Sequence, residues 1–149
     1  MVKIFEAEIN DELLDRLIQM SADWEAENST YGYRKNERCD IEGNRVFLAE
    51  KDGQIAGYLF GQPDRAKRAS SIMADETPCF EIEELYVAPG HRGEGVGKAL
   101  FRFAEQQIRE TGVEFIMLST ATKNYKSILH FYIEELGMDF WSARLFRKI

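Results

Sequence analysis

Residues 89 to 100 read PGHRGEGVGKAL, and four glycines (Gly90, Gly93, Gly95, Gly97) fall within eight positions. The run before it, Phe80 to Val87, reads as a strand. The run after it sets Val96, Leu100, Phe103, Ala104 and Ile108 at helical spacing. A strand that turns through glycines straight into a helix is the tightest constraint in this chain. Glycines leave room for a ligand against the backbone and permit unusual φ/ψ. The free N–H groups that open the helix converge on one spot, and the helix dipole adds positive potential there. The junction suits a phosphate, against the plainer alternative of a glycine-rich turn without a ligand.

Two familiar phosphate loops fail by position. A Walker loop needs Gly, four residues, Gly-Lys, then Ser or Thr. Gly97-Lys98 supplies the second half, but Arg92 stands at the first glycine and Ala99 at the hydroxyl. A dinucleotide fingerprint needs Gly-x-Gly-x-x-Gly, and both frames demand glycine where Lys98 or Leu100 stands. The loop also follows a hairpin, past the middle of the chain, whereas that fingerprint sits in a βαβ unit. What remains is Arg92-x-x-Gly95-x-Gly97.

The rest of the chain orders itself around this junction. Val2 to Ile9 reads as a strand. Asn10 or Asp11 caps a helix with Leu13, Leu14, Leu17 and Ile18 on one face. Residues 25–44 are polar and irregular, with room for a second short helix. RVFLAEKDGQIAGYLFG is a hairpin about Asp52-Gly53, a type I′ signal. Residues 62–78 form a polar connection, and Phe80 to Val87 is a strand. After the glycine helix, stopped at Thr111-Gly112, Glu114 to Thr120 reads as a buried strand. Asn124 to Leu136 is a helix ended by Gly137, and FWSARLFRKI a final strand or pair. The order is β-α-α-β-β-β-α-β-α-β(-β), an α/β (α+β) fold with a mixed central sheet, expected to form one domain over residues 1–149.

ELYVAPGHRGEGVGKAL resembles the acyl-CoA-binding motif of the GNAT superfamily of N-acyltransferases. The resemblance runs through Leu85-Tyr86-Val87, Pro89, Arg92-Gly93-x-Gly95-x-Gly97 and Leu100. It continues through FIMLST to a helix with Asn124 near its start and Phe131-Tyr132 before Leu136-Gly137-Met138. It implies two splayed parallel central strands with the pantetheine arm of acetyl-CoA, the co-substrate, lying between them. The backbone of Leu85, Tyr86 and Val87 would hold that arm. The backbone of Arg92, Gly93, Glu94, Gly95, Val96, Gly97 and Lys98 would hold the pyrophosphate. Asn124 would touch the arm from the other side, cap its helix, or do both.

The chemistry implied is attack of an amine on a thioester. An alkylammonium of pKa ~10.4 is almost wholly protonated at neutral pH, so a base must take its proton. A tyrosine, protonated at pH 7, suits the leaving thiolate. The resemblance points to Tyr132 as that donor, with Tyr125 as fallback and a core role as the plainer alternative. The usual spacing from this tyrosine to the glycine is four, whereas Tyr132 to Gly137 is five: either the helix carries one extra residue or the register differs. For the base, Glu84 and Glu83 point to opposite faces of their strand. Glu84 is preferred, and His91, expected to be exposed, and His130, expected on another helix face, rank below both.

The net charge of −7 argues against nucleic acid as a partner. No apolar run reaches membrane-span length. Cys39 and Cys79 match no metal spacing, so no metal is expected. They read as free thiols in a reducing cytoplasm, the expected location. Residues 1–61 carry 13 acidic and 7 basic residues, while the remainder carries 13 and 12. An acidic N-terminal half beside the acceptor groove favours a cationic amine, whether small molecule or peptide. A homodimer is compatible with this reading. The rival readings are a non-catalytic acyl-CoA-binding module and a nucleotide-phosphate binder of another class.

Overall fold

A computed structural model describes residues 1–149. Its sheet has five strands in the order β1-β2-β3-β4-β5: Lys3–Ala7, Arg45–Lys51, Gln54–Arg65, Pro78–Val87 and Phe115–Met117. The first four are antiparallel neighbours, and β5 is parallel to β4. Helix α1 (Asp11–Glu27) begins at Asn10, whose side chain accepts the Leu13 N–H at 2.8 Å. Helix α2 (Arg38–Ile41) is the short helix expected in the polar stretch. Asp52 (φ 52) and Gly53 (φ 76) both lie in the left-handed region that a type I′ hairpin turn requires.

Alternation along the strands divides the core between two faces. Val46, Leu48, Tyr58, Phe60 and Tyr86 pack against Leu13, Leu14, Leu17 and Met20 of α1 and Ile41 of α2. Phe47, Ala49, Leu59, Phe80 and Ile82 pack against Val96, Leu100, Phe101, Ala104 and Ile108 of α3 (Val96–Arg109). With helices on both faces, β2 is buried over Val46–Ala49 and β3 over Ala56–Gly61, which explains those continuous apolar runs.

Four expectations need correction. β3 runs on to Arg65, because Gln62 to Arg65 pair with Pro78 to Glu81 of β4, so the connection is only 66–77. β5 covers three residues rather than seven and is half-buried, because it is the outermost strand and nothing pairs beyond it. Residues 139–149 form no strand and are exposed. The helix expected over 124–136 is α4 (Tyr125–Leu129) running into a π-helical turn, His130–Glu135. There Leu136 N donates to Phe131 O, five residues back, at 3.0 Å. The extra residue between Tyr132 and Gly137 is taken up in this wider turn, and Gly137 at φ 74 stops the helix.

Candidate functional site

β4 and β5 pair only from Cys79–Phe115 to Glu81–Met117. Beyond Glu81, the β4 edge that faced β5 has no strand neighbour. The two strands part, and a cleft of about 750 Å³ opens between them. One wall is β4 from Ile82 to Val87. The other is residues 118–122 with Asn124, Phe131 and Tyr132. His91, Arg92, Gly93, Gly95, Val96, Gly97 and Lys98 close one end, and Trp24, Glu27 and Tyr33 the far side.

A β-bulge shapes the β4 wall. Phe60 pairs with Glu84 and Gly61 with Ile82, so Glu83 is the extra residue. A Cβ on Gly61 would collide with Glu81 O, so only glycine fits opposite this kink. Glu83 is exposed, while Glu84 turns into a polar nest. Tyr58 donates to Glu84 Oε1 at 2.8 Å, Tyr33 donates to the same oxygen at 3.0 Å, and Asn36 Nδ2 donates to Oε2 at 2.9 Å. Burial raises the Glu84 carboxyl above the ordinary carboxylate range, against the three hydrogen bonds that pull it down.

The glycine loop joins β4 to α3 through a 3₁₀ turn, Pro89–His91. Gly95 is the N-cap of α3 at φ 82, and the first helical N–H to bond is that of Ala99, to Gly95 O at 3.0 Å. The N–H groups of Val96, Gly97 and Lys98 therefore have no intrahelical partner. Around Gly93 and Gly95 a Cβ would meet open space. A pyrophosphate fits such a cradle by its shape and its free donors. The Arg92 side chain is otherwise engaged. Its Nη1 and Nη2 hold Glu27 at 2.6 and 3.0 Å, and its Nε donates to Val87 O at 2.8 Å. Tyr86 also donates to Glu27, at 2.6 Å. Rings Tyr33, Trp24 and Tyr86 stack in series at 4.1 and 5.2 Å, and Arg92 lies 5.4 Å over Tyr86. This column links the Glu84 nest to the glycine loop.

Tyr132 lines the cleft, and burial pushes its phenol up to about 12. Tyr125 is 58% exposed and stands outside the cleft lining. Asn124 lines the cleft but makes no side-chain cap bond, so the capping expectation fails. Glu94 turns away to pair with Lys51 at 3.1 Å. His91 is half-buried, not exposed, because its Nδ1 is covered and without a partner. His130 lines the same cleft as Tyr132 but is exposed, whereas Tyr132 is half-buried. Above the opening the walls are joined: Tyr31 N donates to Ala121 O at 3.0 Å and Lys123 N to Ser29 O at 2.8 Å. Sequence reasoning missed Ser21, Tyr33, Asn36 and Tyr58. Ser21 alone left a signal, a serine in register with Leu14 and Leu17.

The acetyltransferase (GNAT) family model matches residues 10–138. A streptothricin acetyltransferase from Streptomyces lavendulae is 43% identical over 86 residues, 57% of this chain and 40% of that protein. A mycothiol acetyltransferase from Acidothermus cellulolyticus is 28% identical over 116 residues, 74% of this chain and 35% of that protein. The chain thus spans well under half the length of either. An aminoglycoside acetyltransferase from an uncultured soil metagenomic sample superposes with a TM-score of 0.70 at 20% identity, covering 100% of this chain and 99% of that one, a likeness of fold.

Proposed function

Since the chain belongs to the acetyltransferase (GNAT) family, we propose that it transfers an acetyl group from acetyl-CoA to a primary amine by direct attack in a ternary complex. The observation that carries this reading is the continuous path from the unpaired β4 edge to the free N–H groups that open α3. The backbone of Leu85, Tyr86 and Val87 holds the pantetheine arm as an added strand would. That of Arg92, Gly93, Gly95, Val96, Gly97 and Lys98 holds the pyrophosphate, and Asn124 bounds the arm opposite. Acetyl-CoA supplies an acyl group activated as a thioester. The remaining work is moving protons. Glu84, turned into the cleft, accepts one from the incoming ammonium, a role that exposed Glu83 is poorly placed to take. Tyr132, whose phenol stays protonated well above neutrality, holds a proton for the leaving sulfur.

The acceptor is a small cationic amine. The acidic N-terminal half and the carboxylate of Glu84 in the cleft support this, as does a relative named for streptothricin. The test is release of CoA thiol from acetyl-CoA on mixing with streptothricin, an aminoglycoside, a polyamine and a neutral primary amine. Turnover on a cationic member, lost in Glu84→Gln, is the expected result. Tight acetyl-CoA binding with no turnover on any of them leaves a non-catalytic acyl-CoA-binding module instead.

A further inference from the structure

We propose that Glu84 takes the acceptor's proton on Oε2, and that Tyr33, Tyr58, Asn36 and Ser21 are positioning residues that reserve that oxygen for it. This rests on the reading of Glu84 as the base. The argument is a count of hydrogens. An ionised carboxylate only accepts, so Tyr33 and Tyr58 must each spend their single hydroxyl hydrogen on Oε1. The Tyr33 oxygen lies 2.7 Å from Ser21 Oγ, and with its own hydrogen committed it can only accept there. Ser21, fully buried, therefore donates to Tyr33. Ser21 Oγ in turn accepts the Asn36 backbone N–H at 2.8 Å, and the Asn36 side chain donates to Oε2 at 2.9 Å. The chain closes into a ring: Asn36 N–H to Ser21, Ser21 to Tyr33, Tyr33 to Glu84, and Asn36 Nδ2 back to Glu84.

In that ring every hydrogen has one direction. Oε1 accepts two hydrogen bonds, from Tyr33 and Tyr58, and Oε2 accepts one, from Asn36. One lone pair remains, on Oε2, and Glu84 lines the cleft. A proton arriving from the acceptor binds there. The ammonium N–H bond breaks, its electron pair stays on nitrogen for the attack, and an O–H bond forms on Oε2. The groups that face the carboxyl are Tyr58 from β3, Tyr33 and Asn36 from the segment after α1, and Asp40 from α2, whose charge opposes ionisation.

The experiment titrates the ¹³C carboxyl resonance of Glu84, identified as the one absent from Glu84→Gln, in the parent and in Tyr33→Phe, Tyr58→Phe and Ser21→Ala. The acid limb of kcat/KM is recorded beside it, and melting temperatures show that each variant is folded. Losing one hydrogen bond to the charged form should raise the midpoint by about one to two pH units in either Phe variant. Ser21→Ala, in which Tyr33 keeps its hydrogen, should raise it less. The kinetic limb should move with the midpoint while KM for acetyl-CoA stays put. Should Tyr58→Phe not fold, Tyr33→Phe, nearer the surface, carries the test. If Glu84→Gln has lost turnover yet midpoint and limb stand still in the folded Phe variants, the positioning proposal is overturned and the base survives. If Glu84→Gln keeps normal turnover, the reading of Glu84 as base falls.

Discussion

Tyr132 is half-buried beside Phe101 and Phe131, and burial is the sole cause of its raised phenol. At about 12 the phenol is protonated at any physiological pH, as the proposed general acid must be. Tyr132→Phe keeps the ring and removes the proton. We expect kcat to fall by about 10²–10⁴ with acetyl-CoA affinity little changed, and steady-state kinetics beside a binding titration check it. Near-normal kcat would hand the proton to solvent. Glu27 behaves differently. The Arg92 hydrogen bond is the main cause that holds its carboxyl below the ordinary range. A depressed carboxyl stabilises the fold above its unfolded value of 4.5, and that contribution is lost as pH falls through the folded one. The pair is partly exposed, so it is worth about 1 kcal/mol or less. Glu27→Gln should therefore flatten the fall in melting temperature between pH 6 and pH 3, and an unchanged slope would show the pair to be idle. Glu84 and Tyr132 could be singled out in the sequence because each stands in or beside a motif, and both line the cleft. Tyr33, Asn36 and Tyr58 could not, because only folding brings them within 3.0 Å of one carboxylate.

The elements were legible wherever local signals agreed. Asn10 capped α1, Asp52-Gly53 turned the hairpin, and Gly95 opened α3. Legibility ended where an element depends on its neighbours. The pattern of residues 114–120 promised a buried strand, but pairing lasts only three residues before the splay. The tail has the composition of a strand and no edge that it pairs with. The irregular spacing from Tyr132 to Gly137 was visible, yet a π turn and a shifted register read identically in sequence. Gly95 yields an element-scale prediction. At φ 82 a β-branched side chain is strained, and it would stand where the first-turn N–H groups face the ligand. Gly95→Val should weaken acetyl-CoA binding at least tenfold, about 1.4 kcal/mol. Gly97→Val should weaken it as well, since a Cβ there already lies 3.4 Å from the Phe131 ring. Calorimetry on folded variants decides, and parent-like affinity in Gly95→Val would detach the loop from the phosphate.

Across the whole molecule, charge is the property that acts at a distance. The excess of acidic residues falls in residues 1–61, which supply α1, α2 and the Trp24–Tyr33 side of the cleft. A cationic acceptor should therefore outpace a matched neutral amine in kcat/KM, with the advantage shrinking between low salt and ~0.5 M salt. A salt-independent ratio would reduce the acidic half to a solvated surface. The strand order has another consequence, which belongs to protein synthesis. Because β1 to β5 sit side by side in the order in which they are written, each strand leaving the ribosome finds its partner already made. The cleft cannot be assembled so gradually. Tyr33, Tyr58 and Glu84 all precede Tyr132 in the chain, so the wall that holds the carboxylate is written before the wall that holds the phenol. The cleft is whole only when the last helix lies across from β4, which makes the C-terminal third of the chain as necessary to it as the glycine loop.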